Sequence, residues 1–513
     1  MNNSSRTAKS LQNSSVALLF FVVQFLLSFY SRKIFLDYLG TEILGLNTTA
    51  VNILQFLNLS ELGIGTAVGF SLYKPIKDKD EDTINEIVTL QGHLYKRIAS
   101  IIICGALIVM CFFPWIFEKM TLPLWYAYAS FCVLLFSALL GYYVNYRQIV
   151  LVSSQMDYKV QFGFTSWNVI KVILQIVAVS QLQNPYVWWL FLEVAFAIIA
   201  SVSLRIVTKK TLPFLRQSGH TYADLKLKYA IILTKIKQLF VHQIGAFALS
   251  QSSPLIIYAY ASLSLVAIYG NYLIIINGLM RLVNAVFNSI GAGIGNLVAE
   301  GSIANELKVF HELYSTRFFI SAVITYSLIA LGNPFISVWI GEAYLLPRLS
   351  LLLMSLTLFI RLNRATVNNF INAHGLYQDI WSPIVEASIN IGGSILLGFF
   401  FGLNGILAGV LISVIIIVDI WKPYMLFRQG FHVSPLRYFV MYGKHLIIAI
   451  LAAIIVWLVP VKCVTSGTWI NLICQAVIEV SLYSVVLGML LVIFQTGLKQ
   501  FVRRFFKIIT RHH

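Results

Sequence analysis

Apolar runs of about 20 residues recur along the whole chain, and a helix of that length crosses the hydrocarbon core of a bilayer. Hydrophobic residue types make up 58% of the 513 residues, and charged types make up only 11%. A soluble domain carries about a quarter charged residues. The runs therefore predict an all-α polytopic membrane protein of about fourteen spans, with no sizeable soluble domain.

The distribution of Lys and Arg between the spans predicts the orientation. We place the spans at 12–34, 45–73, 94–118, 123–146, 160–181, 185–207, 235–260, 264–297, 310–332, 347–373, 380–401, 403–427, 441–461 and 468–495. Most of the 37 Lys and Arg residues precede the first span, follow the even-numbered spans or lie in the tail, with Lys308 and Arg317 assigned to the loop after the eighth span. Because basic loops stay in the cytoplasm, both termini are predicted to be cytoplasmic. This orientation explains the net charge of +17, so no nucleic-acid partner is expected.

An internal repeat predicts two lobes. Residues 154–174 align with 376–396, which places Asp157 on Asp379 and Asn168 on Asn390. GIGTAVGF (63–70) similarly resembles GAGIGNLV (291–298). A shift of about six spans preserves orientation, so the repeats are parallel, and such lobes enclose the substrate site in transporters. The predicted organisation is an N-terminal lobe (1–207), a cytoplasmic linker (208–234), a C-terminal lobe (235–427), two further spans (428–495) and a basic amphipathic cytoplasmic tail (496–513).

Catalytic and nucleotide-binding motifs are missing from the sequence. It contains no GxxxxGK[ST] loop, no HExxH and no GxSxG. Its predicted outer loops are as short as 261–264 and 402–404, which leaves no room for an acceptor site. The five cysteines show no metal-ligand spacing, so neither a metal nor another cofactor is expected. We therefore predict a transporter rather than an enzyme, with a membrane polymerase or ligase as the weaker alternative.

Ionisable residues at span depth are the main candidates for a substrate site, because charge in hydrocarbon is costly unless it faces a cavity or a partner. The candidate substrate-binding residues are Lys171, Arg281, Arg361, Arg364 and Asn368, together with Arg32 and Lys33 at the outer end of the first span. Arg361 and Arg364 share one helix face, and guanidinium groups bind phosphate oxygens in a bidentate manner. The alternative is internal salt bridges to acids of similar depth, namely Glu61, Glu193, Glu386, Asp419 and Glu479.

Buried acids and glycines form a second group of candidates. Glu61 and Glu386 could carry a coupling proton or pair with a nearby cation, and Asn390 lies one turn after Glu386. Six glycines could either pack two helices closely or let a helix bend during transport: Gly63, Gly65, Gly69, Gly291, Gly293 and Gly295. Both pairs of interpretations stay open at this point.

Three long stretches resemble one family. They are SFYSRKIFLDYLGTEILGLN (28–47), FLNLSELGIGTAVGFSLYKPI (56–76) and QDIWSPIVEASINIGGSILLGFFFGLNGILAGVLIS (378–413). They look like the bacterial polysaccharide transporters, the O-antigen and capsule repeat-unit flippases of the multidrug/oligosaccharidyl-lipid/polysaccharide superfamily. The resemblance implies fourteen helices in the bacterial inner membrane, arranged as two six-helix lobes around a cationic cavity plus two C-terminal helices.

The resemblance also implies a function. Such proteins move an undecaprenyl-diphosphate-linked oligosaccharide (an O-antigen, capsule or exopolysaccharide repeat unit) to the outer leaflet by alternating access, coupled to H⁺, Na⁺ or the membrane potential. Their partners would include a polysaccharide polymerase and a chain-length regulator.

Two related groups of proteins bear on the site. In lipid II flippases, arginines of the first, second and eighth spans line the cavity; Arg32 or Lys33 and Arg281 match the first and eighth, whereas the second span offers only Glu61. Multidrug relatives carry acids in the N-terminal lobe, so a multidrug or cation antiporter is the alternative function.

Overall fold

The computed structural model describes residues 3–61, 63–287, 294, 295, 297, 298, 300–376, 379, 381–459, 468–495 and 497–500. Its long helices are α1 (Asn3–Leu57), α2 (Ile64–Asp78), α3 (Glu81–Cys111), α4 (Trp125–Tyr143), α5 (Asp157–Gln181), α6 (Pro185–Thr211), α7 (Ala230–Tyr260), α8 (Leu263–Phe287), α9 (Ile303–Ile340), α10 (Arg348–Ala373), α11 (Trp381–Val414), α12 (Leu436–Leu458) and α13 (Trp469–Phe494). Short helices cover Gln148–Ser153 and Tyr222–Lys228, and π-helical turns extend α11 to Gly430. These described residues contain no β-strand, which confirms the predicted all-α fold.

Two of the helices are each broken by a glycine. A straight helix of 55 residues would be about 80 Å long, far more than the roughly 30 Å of a bilayer core. In α1 the helical path is interrupted at Gly40 (φ 80°, ψ 174°), and in α11 it is interrupted at Gly402 (φ 56°, ψ −135°). Because only glycine adopts such angles readily, each break ends one span and starts the next.

The helices match the predicted spans. Eleven helices within the described ranges are long and apolar enough to cross a membrane. Two of these contain the breaks at Gly40 and Gly402, and α7 adds a further helix of 31 residues. The chain is therefore a multi-pass helical membrane protein, and its described helices overlap each of the fourteen predicted spans.

Contacts divide the chain into two compact units, unit 1 (Met1–Ala267) and unit 2 (Ile268–His513). This division places α7 in unit 1, whereas the predicted lobe boundary places it in the C-terminal lobe. Side chains at both ends of α7 explain the difference: Lys235 lies 4.2 Å from the ring centre of Phe70, and Lys119 Nζ donates to the carbonyl of Ala259 at 3.2 Å. The predicted repeat and its lobe limits stay predictions.

An aromatic core sets the register of the helices in unit 2. Phe310, Tyr314 and Phe318 follow one face of α9 and are fully buried. The ring of Phe310 meets Phe370 of α10 edge to face at 5.3 Å, and the hydroxyls of Tyr314 and Tyr438 are 3.1 Å apart. Such pairs stabilise by about 1 kcal/mol beyond their buried area. The core therefore holds α9 against α10 and α12 in one register.

A buried carboxylate fixes the start of α11. Oδ2 of Asp379 accepts from Lys422 Nζ at 2.6 Å, from Ser382 Oγ at 2.7 Å and from Trp421 Nε1 at 3.1 Å. Burial alone would raise the pKa of Asp379, but these donors, with the Lys422 charge foremost, hold the pKa below its usual range. The carboxylate thereby ties the beginning of α11 to its π-helical continuation.

Asp379→Asn is expected to lower the free energy of unfolding by about 3 kcal/mol at neutral pH, since Lys422 then stays buried without its anion. A depressed pKa in the folded state stabilises above the unfolded-state value of about 4 and is lost as the pH falls through the folded value. The difference between the melting temperatures of the wild type and Asp379→Asn, measured in detergent from pH 7 to pH 3, should therefore shrink on acidification. A gap that widens on acidification would contradict this account.

Candidate functional site

A buried arginine lies in the core of unit 2. Arg317 exposes 2% of its surface. Its Nε–H donates to the carbonyl of Leu362 at 2.6 Å, its terminal NH₂ donates to Oδ1 of Asn284 at 3.0 Å, and its guanidinium lies 4.6 Å from the ring centre of Phe287. The predicted loop position of Arg317 is therefore wrong, because α9 begins at Ile303 and carries this residue well inside the helix.

The environment of Arg317 is neutral. None of the five ion pairs found among the described residues includes it. A buried cation held only by a carbonyl, an amide and an aromatic face keeps its full positive charge, which is costly in a low-dielectric interior. This cost makes Arg317 a candidate functional residue.

The predicted arginine pair lies beside Arg317. Arg361 and Arg364 are half-buried on α10, and the carbonyl bound by Arg317 belongs to the residue directly after Arg361. Nε of Arg364 is buried without a hydrogen-bond partner. Asn368, one turn after Arg364, is also half-buried and extends the polar face of α10.

An acid of the next helix acts on this pair without forming an ion pair. Glu386 of α11 exposes 3% of its surface and lies within electrostatic range of Arg361 and Arg364. In the described part of the chain neither arginine forms a salt bridge. The alternative of closed internal salt bridges is therefore not observed for these two residues.

A third helix adds a cation to the same region. Arg281 of α8 is exposed and lies one turn before Asn284, the residue that binds Arg317. We name Arg281, Arg317, Arg361 and Arg364 the arginine cluster. Three helices of unit 2 supply it: α8, α9 and α10. Guanidinium groups bind phosphate oxygens in a bidentate manner.

Asn390 connects the two halves of α11 next to Glu386. Its Nδ2 donates to Oγ of Ser413 at 3.3 Å, and both side chains are fully buried. Glu386 lies one turn earlier on the same helix. The break at Gly402 brings the second half of the helix back against the first, which is how these distant residues meet.

Glu61 has tyrosine partners. It accepts from Tyr95 Oη at 2.9 Å and from Tyr142 Oη at 2.7 Å, and Tyr142 also donates to Asn58 Oδ1 at 3.1 Å. An ion pair with a cation, one of the two alternatives for Glu61, is not found among the described residues. Glu61 ends a 3₁₀ turn (Asn58–Glu61) that interrupts the second predicted span, so the span is bent at this acid.

Lys171 is paired inside unit 1. Its Nζ lies 2.7 Å from Oε1 of Glu193, and Gln175 Nε2 donates to the other carboxylate oxygen at 3.0 Å. The pair joins α5 to α6 with both side chains largely buried. This geometry matches the internal salt bridge that the sequence analysis kept as the alternative for Lys171.

Glu193→Gln is expected to lower the free energy of unfolding by about 3 kcal/mol, because it leaves the Lys171 ammonium buried and unpaired. Combining Lys171→Met with Glu193→Leu should restore most of the loss. Glu479→Gln is the matched control, since Glu479 is also half-buried but, among the described residues, accepts from the Gln475 amide and forms no ion pair. Thermal unfolding in detergent measures all three, and a double variant as unstable as Glu193→Gln would contradict the structural role.

Two other predicted cations lie in unit 1. Arg32 donates from its terminal NH₂ to the carbonyl of Ala267 at 3.0 Å, whereas Lys33 is exposed. Close by, Oγ1 of Thr41 and Oγ of Ser264 are 3.2 Å apart. Arg32 therefore ties α1 to the start of α8 within this unit.

The predicted glycines serve different purposes. Gly63 has φ 94° and separates the 3₁₀ turn from α2. A methyl group on Gly69 would lie 3.3 Å from Ile149, so Gly69 packs closely, whereas Gly65 and Gly295 have room for one. Gly291 and Gly293 lie outside the described residues.

Comparison with solved structures identifies the fold. The lipid II flippase MurJ in an inward closed conformation matches with a TM-score of 0.67 at 14% identity, over 94% of this chain and 99% of that one. An inward-facing multidrug resistance MATE family transporter of the MOP superfamily matches at 0.55 and 13% identity, over 81% and 98% of the two chains. A Vibrio cholerae MATE transporter matches at 0.52 and 14% identity, over 83% and 98%.

No family model and no curated protein matches the chain. At identities this low, the structural likeness establishes the fold alone. The fold agrees with the one that the sequence resemblance implies. The chain has the fold shared by the MurJ flippase and the MATE transporters of the MOP superfamily.

Proposed function

We propose that the protein is a flippase for an undecaprenyl-diphosphate-linked oligosaccharide, such as an O-antigen, capsule or exopolysaccharide repeat unit. The observation that carries the proposal is the arginine cluster of unit 2, whose charges are not neutralised by ion pairs in the described part of the chain. A diphosphate supplies several anionic oxygens that guanidinium groups bind in a bidentate manner.

The roles of the site residues follow from their positions. Arg281, Arg361 and Arg364 would bind the diphosphate, with Asn368 contacting the first sugar. Arg317 would hold α8 and α10 at the spacing that this binding needs, since it bonds to both helices. The lipid tail would stay in the bilayer during translocation. Arg32, Lys33 and Lys171 stay proposed substrate contacts for a later step, the last only if its Glu193 pair opens.

The proposed cycle is alternating access in the bacterial inner membrane, with both termini in the cytoplasm. Glu386 is the proposed site for a coupling H⁺ or Na⁺, because it lies near the arginine cluster and next to the amide of Asn390. An ion bound to Glu386 would weaken the attraction between this carboxylate and the arginines. The arginines would then be more available to the diphosphate. A polymerase and a chain-length regulator would act on the delivered repeat unit.

Export of surface polysaccharide in cells tests the proposal. Arg281→Gln combined with Arg361→Gln should abolish export while the protein level in the membrane stays unchanged. Arg348→Gln is the matched control, because it removes the same charge from the exposed start of the same helix as Arg361. Export that survives the double substitution would refute the role of the cluster.

A second candidate function rests on Glu61. This acid has tyrosine rather than cationic partners in unit 1, and an acid in such a position could bind a cationic drug or a proton. The competing proposal is therefore a multidrug or cation antiporter. It predicts that Glu61→Gln abolishes drug resistance in a sensitised host, whereas the flippase proposal predicts no resistance phenotype for the wild type.

A further inference from the structure

A separate pocket in unit 1 carries an excess of positive charge. It has a volume of about 250 Å³ and is formed by the end of α6, the turn Asn145–Arg147 after α4, and the connection 212–215. Three cations line it: Arg147, Arg205 and Lys209. Pockets for drug-sized ligands measure roughly 300–1,000 Å³, so this one suits a small group.

The three cations are available to a ligand. Arg205 and Lys209 are four residues apart on one face of α6, and both residues are exposed. Arg147 spends its Nε–H on Tyr146 Oη at 3.3 Å, which leaves its two terminal NH₂ groups. No acid lines the pocket, and none of the three cations forms an ion pair with a residue that the structure describes.

A buried amide in the pocket wall lacks one hydrogen-bond partner. Asn145 exposes 7% of its surface, and its Nδ2 donates to Ser201 Oγ at 3.1 Å, while its Oδ1 has no hydrogen-bond partner among the residues that the structure describes. Because a serine hydroxyl can also donate, a turn of the amide by 180° would bond Oδ1 to Ser201 and present the NH₂ group to the pocket. Lys159, which bonds to Thr211 at the end of α6, adds positive charge nearby.

We propose that this pocket binds a phosphate group, either the phosphodiester of an anionic phospholipid or a small soluble phosphate. Tetrahedral oxyanions match a small pocket that combines guanidinium, ammonium and amide donors. The ends of α4 and α6 lie on the predicted cytoplasmic side, where anionic headgroups are abundant and basic pockets between helices bind them. The site is distinct from the arginine cluster of unit 2.

Adjacent lysines provide a matched test. Lys209 lines the pocket. Lys210, the next residue, is also exposed but does not line the pocket. The purified full-length protein is titrated with inorganic phosphate at constant ionic strength, and separately with short-chain phosphatidylglycerol or phosphatidylcholine, with binding followed by native mass spectrometry. Lys209→Gln should weaken binding about fivefold, Arg205→Gln with Lys209→Gln more strongly, and Lys210→Gln should leave it unchanged.

The probes distinguish the sources of the phosphate. Binding of phosphatidylglycerol but not of inorganic phosphate supports a lipid headgroup, and the reverse supports a soluble phosphate. The melting temperatures of Lys209→Gln and Lys210→Gln are also measured without ligand. Equal values would show that both variants fold. The proposal is overturned if no probe binds the wild type, if Lys209→Gln and Lys210→Gln bind equally, or if phosphatidylcholine binds as tightly as phosphatidylglycerol.

Discussion

Replacing Arg361 and Arg364 together by glutamine is expected to weaken binding of the diphosphate-linked lipid by at least about 100-fold. Each hydrogen-bonded charge contributes about 1.5–3 kcal/mol, so two contribute enough for that factor. Replacing both by lysine keeps the charges but loses the planar guanidinium fork, so an intermediate loss is expected. Binding of the solubilised lipid by the purified variants gives the affinities.

Arg348→Gln again serves as the control for this prediction, since it removes a charge from the same helix at an exposed position. Its affinity should equal that of the wild type within twofold. If the glutamine pair binds the lipid as tightly as Arg348→Gln does, the arginines of α10 do not contact the diphosphate.

Gly409→Ala is expected to prevent unit 2 from folding. An added methyl carbon would lie 2.3 Å from the backbone nitrogen of Ser394, and the same change at Gly405 would place it 1.9 Å from the carbonyl oxygen of Leu397. These overlaps involve backbone atoms on the other side of the Gly402 break, so a side-chain rotation cannot relieve them. The two halves of α11 would have to separate, breaking the Asn390–Ser413 contact.

Gly392→Ala is the control for the glycine prediction, because a methyl group there meets nothing within 4 Å. In a helix interior alanine is about 1 kcal/mol more favourable than glycine, so this variant should melt at or above the wild-type temperature. Yield of monodisperse protein and thermal unfolding in detergent measure both variants. A well-folded Gly409→Ala protein would show that the halves of α11 are not in contact.

The number of helices could be predicted from the sequence because each span must bury about 20 apolar residues against lipid. Composition alone does not show at which residues these helices bend. Gly63 was singled out among several glycines, but only the structure shows that it has a positive φ, while Gly69 serves close packing. The tight turn at Gly402 depends on contacts between the two halves of α11. A pattern of neighbouring residues in the sequence does not predict such contacts.

Partners of the charged residues were harder to predict, because they are distant in sequence. Glu61 contacts Tyr95 and Tyr142 through the packing of three helices, and neither of the two interpretations left open for this acid included tyrosine partners. The pair of Lys171 and Glu193 was among the stated alternatives, since both lie at similar depth in consecutive spans.

Arg317 was missed because its charge was counted with the loop after the eighth span, although the residue lies inside the predicted ninth span (310–332). Apolar residues at Ile303, Leu307, Phe310 and Tyr314 have helical spacing, so the helix begins before the predicted span and Arg317 lies well inside it. That periodicity was the signal that a buried arginine lay inside a helix.

Translocation by the purified protein tests the central claim most directly. A fluorescent undecaprenyl-diphosphate-linked oligosaccharide is placed in one leaflet of protein-containing liposomes, and its appearance in the other leaflet is followed with an impermeant quencher. The account predicts translocation by the wild type and by Arg348→Gln, and none above protein-free liposomes by Arg361→Gln with Arg364→Gln. No translocation by the wild type, together with uptake of a cationic drug in exchange for protons that Glu61→Gln abolishes, would contradict it.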